Sequence, residues 1–321
     1  MTTMGQQIPQ ALQELIESSV SLLPETTLEI LRLAPDYSTT NLTLQRMLEH
    51  DRQHDLADRV LALANSVEFH GLSTIRSIPD AIARIGRLRL FNLVLTSVLG
   101  GVYRRTDEYA RLLWRHALAC GYVCAGLAER FKVAESELAF AAGVLHDIGK
   151  FIIYRRLPHL YRQFWIGKSH AFRLIELEAR TFPDFAHARV GAAALRRMGL
   201  LGVLVEAAAL HHAFESGPAK ASNPGLVSVV SLGNVLVNNV GLERKVCEWK
   251  AIEELYCARH IGAQGRTLDE AIAALPGLVQ GLTTSNAVVA LAPTRDRSPR
   301  GRATSDQHRR LFGLQRSSAF N

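Results

Sequence analysis

Apolar residues recur at three- and four-residue spacing along most of the chain, while alternating β-branched runs are scarce. That pattern predicts helices throughout. Leu23-Pro24 opens the first helix, with Thr27 to Leu33 as its body and Pro35 as its stop. Leu42, Leu44, Met47 and Leu48 mark a second. Leu56, Val60, Leu63 and Ala64 mark a third, closed by Asn65-Ser66 because asparagine tolerates left-handed backbone. Beyond a loop through Gly71, the positions Ile75, Ile78, Ile82, Ile85 and Leu88 lead into helices expected to end at Gly100-Gly101.

The later stripes share an oddity: each carries a polar side chain on its apolar face. Leu112, Leu113, Ala119, Cys120 and Val123 include His116, and the segment 137 to 154 carries His146-Asp147. Val190, Gly191, Ala194 and Leu195 follow His187, and Leu204, Ala207 and Ala208 precede His211 and His212. Val227, Val230, Ser231 and Val237 surround Asn234. One buried imidazole is most often satisfied by a backbone carbonyl. Five stripes with the same feature point to a shared partner, because each buried polar group is costly without one. Imidazole suits Fe, Mn, Ni or Zn, and an adjacent carboxylate biases the site toward harder ions. The expected cofactor is a divalent metal, with Fe or Mn favoured over Zn or Mg. Cys120 and Cys124, one turn apart, read as packing residues. So do Tyr154, Tyr161, Phe164 and Trp165, although the nearby Arg155, Arg156 and Arg162 also suit a ligand mouth.

Composition adds exclusions more than assignments. The 321 residues allow one large domain or two ordinary ones, and 48% hydrophobic with 21% charged residues is ordinary for a globular chain. No apolar run reaches the roughly 18 residues of a membrane span. The first residues lack a signal-peptide pattern, and the four cysteines lack CxxC spacing, so a cytoplasmic location is expected. The net charge of +7 suggests nucleic acid until it is located. Residues 291–321 hold seven arginines against Asp296 and Asp306, or +5, which leaves +2 for the rest. With only Phe312 and Phe320 as aromatics there, a solvated, disordered tail is favoured over a nucleic-acid-binding one.

Several stretches together resemble a known family. They are Leu23-Pro24, Leu61 to Ser66, Ile75 to Gly86, Leu113 to His116, Gly143 to Lys150, His187 to Gly191 and His211-His212. The combination, spanning about 20 to 240, is similar to the HDOD family (HD-related output domain) of bacterial signalling proteins, within the HD superfamily of metal-dependent phosphohydrolases. The resemblance implies an all-α, two-lobed HDOD architecture. A short segment (1–19) would precede an N-terminal helical lobe (about 20–100) and an HD-like lobe (about 105–240). Further helices (241–290) and the basic tail (291–321) would come after it.

It also implies His116, His146, Asp147, His187, His211 and His212 as metal ligands, with Asp147 able to bridge two ions. Lys150 would contact a substrate phosphate if the chain is a hydrolase. Asn234 stands where the superfamily has a final aspartate ligand and offers only a neutral carbonyl oxygen. The GYP signature of cyclic-di-GMP phosphodiesterases is absent from residues 155 to 186. The expected function is therefore a regulatory signal-transduction protein without hydrolase activity. It would act through a signalling-protein partner or a nucleotide-like ligand, around a retained metal site. A metal-dependent phosphodiesterase is the alternative. No oligomeric state follows from the sequence.

Overall fold

The structure is a computed structural model that describes residues 13–15, 17, 23–51, 55–67, 69, 73–104, 107–159, 161, 162, 178, 180, 186–239, 249–273 and 275. All regular structure among the described residues is helical. The N-terminal helices are α1 (Glu25–Leu33), α2 (Asn41–His50), α3 (Leu56–Ala64), α4 (Ile78–Ile85) and α5 (Arg87–Arg104). Then come α6 (Glu108–Phe131), α7 (Ser136–Leu145), α8 (Ile148–Arg156), α9 (His187–Arg197), α10 (Gly202–Leu210), α11 (Ala213–Ser216) and α12 (Pro224–Asn239). Two short helices, α13 (Trp249–Ile252) and α14 (Tyr256–His260), precede a helical stretch at 266–273.

Local sequence starts these helices where the patterns predict. Ser77 accepts the Asp80 N–H at the head of α4, and Asp107 accepts the Ala110 N–H at 2.9 Å at the head of α6. Pro24 sits at the N-cap of α1 with Glu25 in its first turn and Arg32 in its last, complementing the helix dipole. α5 joins the two halves: it packs against α1, α3 and α4 and also against α6 and α7. Two polar links reinforce the join. Arg89 pairs with the buried Glu137 at 2.6 Å, and Arg32 Nε donates to the Met198 carbonyl at 2.7 Å. A single apolar core runs through both halves and on to Leu275.

Glycines set the closest approaches. A Cβ on Gly143 of α7 would lie 2.6 Å from the Cys120 carbonyl of α6, and one on Gly149 of α8 would lie 1.9 Å from the His187 carbonyl of α9. These two backbone-to-backbone crossings position the polar cluster at the centre of the fold.

Several expectations are corrected. The helix expected to stop at Gly100-Gly101 continues to Arg104. Glycine disfavours a helix interior by only about 1 kcal/mol, and the burial of Leu99 and Tyr103 outweighs that. Leu42 is exposed, because α2 buries the Leu44–Leu48 line and Leu42 is out of phase with it. Asn65 does end α3, yet its backbone is not left-handed (φ −102°, ψ 3°). Its side chain closes the helix instead, donating to Leu61 O and Ile75 O and accepting the Ile75 N–H. The helical segment expected across 137 to 154 is two helices with a break at His146-Asp147. The expected tail disorder and most of residues 163–185, including Phe164 and Trp165, lie outside the described residues. No single described helix is long and apolar enough to cross a membrane; the bent pair α4–α5 passes only by length and composition.

Candidate metal centre

The break between α7 and α8 creates the site. α7 ends at Leu145, His146 continues helical backbone as its C-cap, and Asp147 (φ −106°, ψ 15°) turns the chain before α8 begins. The turn aims both side chains inward rather than along one helix face. His116 arrives from α6, His187 from the first turn of α9, and His211 and His212 from the end of α10.

Asp147 is the hub. Its Oδ2 lies 3.4 Å from His116 Nε2, 3.2 Å from His146 Nε2 and 2.6 Å from Lys150 Nζ. Its Oδ1 lies 3.2 Å from His187 Nε2 and 3.6 Å from His211 Nε2. His187 Nε2 and His212 Nε2 are 3.0 Å apart. The donors fall into two groups whose atoms lie within 4.8 Å of one another: Asp147, His187, His211 and His212, and separately His116, Cys120 and His146.

The far ring nitrogens of His146, His187, His211 and His212 are fixed, while His116 Nδ1 is buried without a hydrogen bond. His146 Nδ1 is 2.7 Å from the Gly143 carbonyl, and His211 Nδ1 is 3.0 Å from the Ala208 carbonyl. In the neutral form, donation to those carbonyls leaves Nε2 as the nitrogen available to a metal. His187 Nδ1 faces Glu178 at 2.6 Å, and Glu178 is held by the Tyr161 hydroxyl at 2.8 Å. His212 Nδ1 faces Glu215 at 2.8 Å. These outer partners orient imidazoles in the manner of ligands.

The buried charges of the cluster compensate one another. Burial alone would raise the Asp147 carboxyl, but His146 and Lys150 hold it well below the usual carboxylate value. Burial works against a charged His187, yet the Glu178 and Asp147 carboxylates outweigh it and push its pKa up to about 9. Burial and the neighbouring histidines hold His211 well below its ordinary value, and burial lowers His212 too. Several buried polar atoms of this cluster make no hydrogen bond, among them the Nε2 atoms of His146 and His211, His116 Nδ1 and both Asp147 oxygens. Buried nitrogens of that kind are rare without a further partner. The donor set therefore fits divalent cations.

The sequence expectations divide cleanly. His116, His146, Asp147, His187, His211, His212 and Lys150 converge. Asn234 is buried on α12, but its side-chain oxygen accepts the Asn238 amide at 3.0 Å. Tyr154 and Tyr161 are buried, as the packing reading expects, and the Tyr161 hydroxyl also reaches the site through Glu178. Two participants were missed. Glu215 lies three residues after His212 and was readable in principle; Glu178 lies in a stretch with no clear period. Cys120, read as packing, is buried in the core and also lies beside the His116 and His146 donors.

The HDOD domain matches residues 20–214, more than half of the sequence. The chain belongs to the HDOD family. An uncharacterized protein of Treponema pallidum (strain Nichols) is 26% identical over 229 residues, covering 67% of this chain and 41% of its own length. This chain thus spans about two fifths of that relative. An HDOD domain protein of unknown function from Geobacter sulfurreducens superposes with a TM-score of 0.58 at 21% identity, over 83% of this chain and 99% of that one. A Marinobacter aquaeolei VT8 structure, provisionally named a signal transduction protein, gives 0.58 at 17% over 87% and 66%. One from Shewanella amazonensis SB2B, provisionally named a metal-dependent phosphohydrolase, gives 0.55 at 12% over 86% and 97%. At these identities the structural likenesses establish the HDOD fold and no more.

Proposed function

We propose that this HDOD protein is a regulatory signal-transduction module that holds divalent metal at the His–Asp centre and does not hydrolyse phosphodiesters. The observation that carries the metal half is Asp147, whose two oxygens face two separate sets of buried donors. His116 and His146 would hold one ion, and His187, His211 and His212 the other, with Asp147 between them. A bound ion supplies charge neutralisation and Lewis acidity. Within the chain, Lys150 neutralises part of the Asp147 charge, and Glu178 and Glu215 fix the outer imidazoles.

The regulatory half rests on Asn234. By resemblance it replaces a carboxylate ligand with a neutral amide, whose oxygen here accepts from Asn238. A phosphohydrolase is the second reading, favoured by the retained His116, His146, His187, His211 and His212 beside Lys150. Elemental analysis of protein purified without added metal, followed by a phosphodiesterase assay with Mn or Fe, separates the two. Bound metal with no turnover is expected. Turnover abolished by His146→Ala would establish the hydrolase instead, and metal-free protein that takes up no ion would remove the centre. Signal input would come from a partner protein or a nucleotide-like ligand.

A further inference from the structure

The geometry points to Cys120 as a thiolate ligand in the His116–His146 half of the centre, making that half a nitrogen–sulfur site unlike its neighbour. The inference rests on the metal reading above and specifies which ion each half would take.

Cys120 is placed by the fold rather than by chance proximity. It lies four residues beyond His116 on α6, so the two side chains share a face. The α6–α7 crossing then brings α7 against it, since a Cβ on Gly143 would meet the Cys120 backbone. One turn beyond Gly143, His146 leans its Nδ1 on the Gly143 carbonyl and turns its Nε2 back toward α6. Cys120 Sγ lies 3.4 Å from His116 Nε2, and Sγ and the two imidazole donors lie within 4.8 Å of one another. All three residues are buried, and the His146 Nε2 aimed into this group has no hydrogen bond.

The spacings suit a cation. Zinc bonds of about 2.0–2.1 Å to nitrogen and 2.3 Å to sulfur, arranged tetrahedrally, separate neighbouring donors by about 3.3–3.6 Å. Here His116 Nε2 is 3.4 Å from Cys120 Sγ and 3.4 Å from Asp147 Oδ2, and His146 Nε2 is 3.2 Å from that oxygen. Asp147 Oδ2 also faces Lys150 Nζ at 2.6 Å, but a carboxylate oxygen has a second lone pair to give. On ligation the thiol proton leaves to solvent as the sulfur–metal bond forms. Thiolate favours Zn or Fe over Mn, whereas the His187, His211, His212 and Asp147 group suits harder ions. The two halves would therefore discriminate between metals, with Zn preferring the Cys120 side.

Cobalt(II) tests this without reference to turnover, because thiolate ligation gives an intense near-ultraviolet charge-transfer band that nitrogen and oxygen ligands lack. Metal-stripped full-length protein is titrated with Co(II), alongside Cys120→Ala, Cys120→Ser and Cys124→Ala. Cys124 serves as the control, since its Sγ faces the Val229 carbonyl at 3.6 Å. The proposal expects the band in wild type and Cys124→Ala, and its loss in both Cys120 variants. It also expects Zn affinity of that half to fall by at least about 100-fold in Cys120→Ala, no less than the loss of an outer-shell partner brings. Visible d–d bands without the charge-transfer band would leave the metal centre standing and overturn Cys120 as a ligand. Persistence of the band in both Cys120 variants would overturn it as well. No Co(II) uptake would overturn both. Circular dichroism of the stripped variants checks folding, and Cys120→Ser keeps the test valid if the alanine variant fails to fold.

Discussion

Gly149→Ala is the most informative single perturbation of the scaffold. The added Cβ would sit 1.9 Å from the His187 carbonyl oxygen and 2.7 Å from the Gly191 nitrogen, both backbone atoms. Restoring an ordinary contact of about 3.4 Å to that oxygen requires α8 and α9 to separate by roughly 1.5 Å. Neither helix end is free to yield. Gly149 is two residues from Asp147, and the atom it strikes belongs to His187 itself, whose Nε2 lies 3.2 Å from Asp147 Oδ1. Overpacking of this kind costs about 1–3 kcal/mol or more. Metal geometry tolerates only about 0.2 Å, so the larger consequence is loss of ligation by His187. Gly191→Ala is the matched control, because its Cβ would approach the Gly149 nitrogen no closer than 3.1 Å, a few tenths of an ångström of adjustment. Urea unfolding and elemental analysis of the two variants provide the comparison. Gly149→Ala is expected to lose at least about 2 kcal/mol and its His187-side metal, while Gly191→Ala loses under about 1 kcal/mol. A Gly149→Ala protein within about 0.5 kcal/mol of wild type, with metal content unchanged, would refute the claim that this crossing sets the site.

Three further substitutions probe other parts of the scaffold. Asp147→Asn removes the carboxylate 2.6 Å from the Lys150 ammonium, which also acts on Glu178, and should destabilise metal-free protein by up to about 3–5 kcal/mol; a loss under about 1 kcal/mol in urea unfolding would show that the pair does not hold the turn. Asn65→Ala deletes three hydrogen bonds linking the end of α3 to Ile75, a loss of about 2–3 kcal/mol by the same assay at about 1 kcal/mol each. Asp107→Ala removes the α6 N-cap, at about 0.5–2 kcal/mol near neutral pH. Burial works against the Asp107 charge, but the Tyr154 hydroxyl and the Ala110 N–H hold its carboxyl below the ordinary 3.8. Its stabilising effect is thus fully present above 3.8 and lost as pH falls through the lower folded value, so the gap between wild type and Asp107→Ala should close in acid. A gap that widens on acidification would contradict the assignment.

The sequence by itself determined the helical class, the start of nearly every helix through α4, and the histidines and aspartate that converge. Those signals are local: Leu23-Pro24 and Leu56 mark helices that begin within two residues of them, and a 3.6-residue period reports which face is buried. Family resemblance extended the reading to ligand roles, and the HDOD match bears out the family. Where local preference and packing disagreed, the sequence misled. Gly100-Gly101 reads as a stop, yet α5 runs through it because its flanks are buried. Only the tertiary structure could decide what Cys120, Glu178 and Asn234 do. Cys120 has the spacing of a core residue, and it faces two imidazoles only because α7 crosses α6 at a glycine. Glu178 reaches His187 from a stretch without periodicity. Asn234 has a ligand's place in the sequence, and its oxygen accepts from Asn238 one turn on. A period along one helix says which side is inward; the crossing of two helices sets what an inward side chain meets.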